Sequence, residues 1–101
     1  MRVVVTALAL TLAVPAVAAD AAAGKARAAA CAVCHGRNGV AVAPDAPNLA
    51  GQPEDYLVAQ LTAYRDGNRK HEVMSLMAKP LTDGDIANLA AWFASQKIEV
   101  R

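Results

Sequence analysis

The stretch Cys31-Ala32-Val33-Cys34-His35 holds both cysteines and one of the two histidines of this 101-residue chain. On a helix, residues three apart share a face, so Cys31 and Cys34 can present two thiols to one flat partner while His35 follows as the chain turns away. Several chemistries use Cys-x-x-Cys. A redox dithiol sits near a βαβ pattern, and no strand-like alternation is visible here. A structural zinc site needs four ligands, and beyond these three only His71 remains as a conventional nitrogen or sulfur donor. A disulfide between residues three apart closes too small a loop to stabilise much. Covalent haem uses all three groups: the thiols form thioethers with the vinyl groups, and His35 reaches the iron from the proximal side.

A cofactor of that size fits the length and the leader. Residues 1–19 read as an export signal, with Arg2 as the charged n-region, an apolar run from Val3 to Val14, and cleavage after Ala18 or Ala19. The competing reading, an uncleaved anchor, suffers from a run that is short for a bilayer span. Residues 20–101 then form a single domain whose core alone would be marginal, so a covalently held ring would act as its staple. Lys and Arg number ten against nine Asp and Glu. Arg2 leaves with the leader, and the balanced remainder favours neither nucleic acid nor an anionic membrane surface as partner.

The rest of the chain reads as all-α, with three main helices. Asp20 to about Cys34 is alanine-rich, with Asp20 at its start where the helix dipole favours an acid. Gly24 in that run is either tolerated or makes room for another helix. Residues 37–52 carry two prolines and are expected to form a loop. Pro53 suits the first helical position of a second helix, Leu57, Leu61 and Tyr64 its core side, and Gly67 its stop. Residues 68–80 are expected to form a second loop. Thr82 would cap a third helix with Asp85 three residues on, and Ile86, Leu89, Ala90 and Phe93 fall on one of its faces.

The second loop holds Met74, Met77 and His71, any of which could close the distal side of an iron held by His35. His71, beside Arg69, Lys70 and Glu72, reads better as a solvated histidine. A neutral, soft thioether favours ferrous iron and raises the potential, and a fixed set of six ligands needs little rearrangement when an electron arrives.

Three stretches, AAAGKARAAACAVCHG, PNLAGQPEDYLVAQL and MSLMAKPLTDGDIANLAAWFASQ, together resemble the bacterial monohaem class I c-type cytochromes and one half of the tandem di-haem cytochromes c. The likeness runs from about Asp20 to Gln96. It implies a small cytochrome c-like fold wrapped around one covalently attached haem c, with Cys31 and Cys34 as thioether residues and His35 as proximal iron ligand. In that family the methionine of an M-x-x-x-A-x-x-L-[ST]-D run is the distal ligand, which here is Met74, leaving Met77 to pack. The proline of P-N-L-x-G offers its carbonyl to the proximal histidine, which implies a bond between Pro47 and His35 Nδ1. The first and last helices would cross, setting Gly24 and its neighbours against Leu89, Trp92 and Phe93. Gln52, Tyr64, Arg65 and Asn68 are candidates for holding the propionates.

The function expected is that of an exported, periplasmic one-electron carrier rather than an enzyme. It would cycle Fe(II)/Fe(III) between a dehydrogenase and a terminal acceptor, as a monomer or weak dimer with redox proteins as partners and no membrane insertion after signal cleavage. The alternative is a haem c subunit fixed in a larger oxidoreductase complex. A third reading, a five-coordinate haem protein binding gas or peroxide, is disfavoured by Met74. The residues around Cys31 and Cys34 are poor in charge, so docking there should be largely apolar and insensitive to salt.

Overall fold

Asp20 starts the domain by serving both helices that matter most to it. In the computed structural model, which describes residues 2–7 and 18–98, its side chain accepts from Ala23 N at 3.1 Å and so caps helix α1, Ala21–Arg27. Its own backbone N–H donates to Asn88 Oδ1 at 2.8 Å, which ties the start of the domain to the last helix. The export signal expected over residues 1–19 lies for the most part outside the described residues.

The first helix is not continuous to Cys34. After α1 the backbone tightens into a 3-10 turn, Ala28–Cys31, and then reopens as a short helix α2, Ala32–His35. A run of alanines carries no side chains that would select one hydrogen-bond register over the other, and 3-10 turns are common where a helix ends. Gly36, at φ 76°, ends α2.

Helix α3, Glu54–Asp66, begins one residue later than the sequence suggests: Pro53, at φ −55° and ψ 134°, caps it from outside rather than occupying its first turn. Gly67 ends it in the left-handed region at φ 84°. Within the expected second loop lies a further helix, α4, Met74–Ala78. Helix α5, Asp83–Ala94, opens with a complete capping box: Asp85 N donates to Thr82 Oγ1 at 3.0 Å, and Thr82 N donates to Asp85 Oδ2 at 3.0 Å.

Packing follows the apolar faces. Helix α5 buries Ile86, Leu89, Ala90 and Phe93. It packs on both α1 and α3, so Ala28, Leu57, Leu89, Ala90 and Phe93 form one cluster, with Leu49, Leu61 and Leu81 against it. At the α1/α5 crossing a Cβ on Gly24 would collide with the Asn88 carbonyl and lie 3.0 Å from Trp92 Cβ. Gly24 is therefore a packing residue. Lys25 Nζ lies 5.4 Å from the centroid of the Trp92 ring. A second tie crosses from α3, where Arg65 pairs with Asp83 at 2.7 Å and with Asp66 at 2.9 Å. Among the described residues all regular structure is helical, and no helix is long and apolar enough to cross a membrane.

Candidate functional site

Cys31 ends the 3-10 turn and Cys34 and His35 close α2, so the motif sits where α1 has just been fixed against α5. Both cysteines are half-buried. Burial pushes the Cys31 thiol above its ordinary pKa, with the Arg27 guanidinium pulling weakly the other way.

The loop after Gly36 is built to return to His35. Val42 N and Ala43 N donate to the Cys34 carbonyl at 3.0 and 3.1 Å. Leu49 N and Ala50 N donate to the Gly39 carbonyl at 2.7 and 3.0 Å, and Ala41 N donates to Asn48 Oδ1 at 2.7 Å. Gly39 is indispensable to this crossing, since at φ 82° any Cβ would lie 2.7 Å from Ala50 N. The folded loop delivers the Pro47 carbonyl to the buried His35 ring, with 2.9 Å between Nδ1 and the oxygen. With Nδ1–H donating there, Nε2 carries the free lone pair, the form of imidazole that ligates a metal.

Helix α4 borders a cleft that Cys31 also lines. Met74, half-buried, lines this cleft of about 390 Å³ together with Cys31, Leu61, Ala78, Leu81 and Leu89. Met77 borders the same cleft but is more exposed, at 41%. Cys34 does not line it.

His71 stands outside this cleft. It borders a separate, open groove with Tyr64, Lys70, Glu72 and Lys79. Its Nδ1 faces the amides of Val73 and Met74, at 3.1 and 3.2 Å. The sequence alone suggests only a solvated side chain here, because a histidine is not among the usual caps that mark a helix start. Of the residues considered for the propionates, Arg65 is already engaged by Asp66, Asp83 and the Leu81 carbonyl, and Gln52 Nε2 donates to Asn48 O at 3.3 Å.

The donor chemistry fits a covalently attached haem and does not fit zinc. Two thiols, an imidazole with Nδ1 occupied and a thioether beside an apolar cleft match what the ring and its iron require. A zinc site would need these donors and His71 to converge, and among the described residues no three His, Cys, Asp or Glu side chains come together in that way.

Comparison with known proteins agrees. The family model described as Cytochrome c matches residues 21–97. The chain is 49% identical over 83 residues to cytochrome c4 of Pseudomonas aeruginosa, covering 82% of this chain and 41% of that protein. It is 47% identical over 83 residues to cytochrome c-554(548) of Halomonas halodenitrificans, covering 79% of this chain and 100% of that one. The solved structure of reduced recombinant cytochrome c4 from Pseudomonas stutzeri superposes with a TM-score of 0.75 at 43% identity, over 79% of this chain and 47% of that one. The chain thus spans about half the length of the cytochromes c4 it matches, or less, and the full length of the c-554(548) relative. Because the matched residues reach from α1 past the end of α5 and take in both cysteines, His35 and Met74, the chain belongs to the cytochrome c family and its cofactor is covalently attached haem c.

Proposed function

We propose that the protein is an exported one-electron carrier of the periplasm that shuttles between a donor and an acceptor protein and catalyses no reaction of its own. The observation that carries this reading is the pairing of two donors: His35, fixed by the Pro47 carbonyl at 2.9 Å, and Met74, on the wall of the cleft that Cys31 also lines.

When bound, haem c supplies a single-electron couple between ferric and ferrous iron. The chain's own residues set how that couple behaves. Cys31 and Cys34 would anchor the ring covalently, so it cannot be lost during turnover. His35 would ligate the proximal side through Nε2, and the bond from its Nδ1–H to Pro47 orients the ring and raises its basicity. Met74 would occupy the distal side with a neutral sulfur, which favours the reduced state relative to a second histidine. Leu61, Ala78, Leu81 and Leu89 would keep water from the cleft, so the solvent has little to reorganise as charge changes.

In the reduced state a carrier closed in this way leaves no free position on the iron for a small ligand. Reduced protein exposed to carbon monoxide should therefore keep its absorption spectrum, and rapid formation of a carbon monoxide complex would contradict the proposal.

A further inference from the structure

His71 is exposed, yet its hydrogen-bonding groups serve the turn that carries Met74. Its Nδ1 accepts from Val73 N at 3.1 Å and from Met74 N at 3.2 Å. The His71 backbone N–H donates to Ser75 Oγ at 3.0 Å, and its backbone carbonyl accepts from Ser75 N at 3.0 Å. A nitrogen that accepts from two amides must bear the lone pair, so the ring carries its proton on Nε2.

The ring is itself held in place. It meets the Tyr64 ring edge-on, with centroids 6.4 Å apart and planes at 76°. The Arg69 guanidinium lies 4.7 Å from the Tyr64 centroid and donates to Gln60 Oε1 at 2.7 Å. The imidazole is thereby braced from α3, the helix that also contributes Leu61 to the cleft. Helix α4 needs such help, since a five-residue helix is too short to hold itself and its first amides have no partner within it.

We propose that His71 is a positioning residue: its imidazole caps the turn that presents Met74, and so sets how firmly the methionine sulfur stays on the iron. The proposal rests on Met74 being the distal ligand. Its role differs from ligation, because the ring acts through the Met74 backbone.

The test uses haem-loaded protein with His71→Ala and His71→Asn, the second restoring a short side-chain acceptor of the kind that caps helices. Amide exchange at Val73 and Met74 in the ferrous state reads the cap whatever ligates the iron. Imidazole binding to the ferric state reads how readily the distal ligand is displaced. The expected result is that His71→Ala speeds exchange at those two amides and tightens imidazole binding by about five-fold or more, while His71→Asn returns both to within about twofold of the parent. Unchanged exchange in His71→Ala overturns the cap, and faster exchange with unchanged imidazole affinity overturns the positioning role. If Met74→Ala leaves the iron spectrum untouched while His71→Ala alters it, His71 is itself the ligand and the proposal fails together with the Met74 reading. A failure of the Met74 reading alone would show as a missing sulfur signature in a parent whose exchange still responds to His71.

Discussion

His35 Nδ1 and the Pro47 carbonyl, twelve positions apart, meet at 2.9 Å with the imidazole buried. Nothing local brings them together. The chain between them turns at Gly36 and crosses itself at Gly39, whose carbonyl receives both Leu49 N and Ala50 N. The orientation of the His35 ring is therefore a property of the loop, and the glycine at the crossing should be its weak point. Gly39→Ala combines a positive φ with a Cβ 2.7 Å from Ala50 N and 2.9 Å from Phe93 Cδ1. Overpacking alone should cost about 1–3 kcal/mol, to which backbone strain adds. Urea unfolding of the haem-loaded variant measures it, and a midpoint equal to the parent's would contradict the role given to this crossing.

The α1/α5 contact makes a parallel prediction for Gly24. Its missing side chain lets the two helices meet at Asn88 and Trp92, and Gly24→Ala would drive a methyl group into the Asn88 carbonyl. Helix propensity favours alanine by about 1 kcal/mol, so a net destabilisation would show that packing outweighs propensity. Thermal unfolding should place this variant below the parent. A higher midpoint would mean that the helices can separate freely.

Acid sensitivity should be traceable to the cap of α5. The Thr82 backbone N–H holds the Asp85 carboxyl below its usual pKa, partial burial works against this, and Arg27 at 3.6 Å adds to the lowering. A folded-state pKa below the unfolded one contributes stability that is present above the unfolded value, about 3.9, and lost as pH falls through the folded one. Asp85→Asn should therefore flatten the decline in stability below about pH 4. Thr82→Ala, which removes the partner cap, should cost about 1 kcal/mol at neutral pH. Parallel stability-against-pH curves for parent and Asp85→Asn would contradict the assignment.

Much of this arrangement is legible in the residues themselves, and the parts that are not share a cause. Thr82 and Asp85 announce the start of α5, Gly67 the end of α3, and the spacing of Ile86, Leu89, Ala90 and Phe93 the buried face of α5. These signals are local and periodic. Helix α4 reads as loop because five residues show no periodicity and its capping side chain is a histidine. The 3-10 turn at Ala28–Cys31 is hidden because alanine is the best α-helix former, so the run reads as unbroken α-helix. Motif spacing singles out the donors, but the role of Gly24 depends on what another helix places against it. The residue type alone leaves that open, whereas the family resemblance already sets it against Trp92, and the close approach to the Asn88 carbonyl appears only in the packed chain.

Docking should be governed by contact area more than by charge. Val33, Val40 and Val42, around the cysteines and the following loop, are 81%, 46% and 69% exposed. An apolar patch of this kind steers weakly and is little screened by salt. Electron exchange with a redox partner should change by less than about threefold between low and physiological ionic strength. A steep fall over that range would show that charged groups elsewhere on the surface control the encounter.

The most direct test of the central claim is the absorption spectrum of the ferric, haem-loaded protein in the far red, where sulfur-to-iron charge transfer gives a weak band, compared between the parent and Met74→Ala. The parent is expected to show the band, and Met74→Ala to lose it while keeping the covalently attached haem. A parent without the band, or a Met74→Ala variant that retains it, would mean that another group or none closes the iron, and the electron-carrier account as argued from this site would fall.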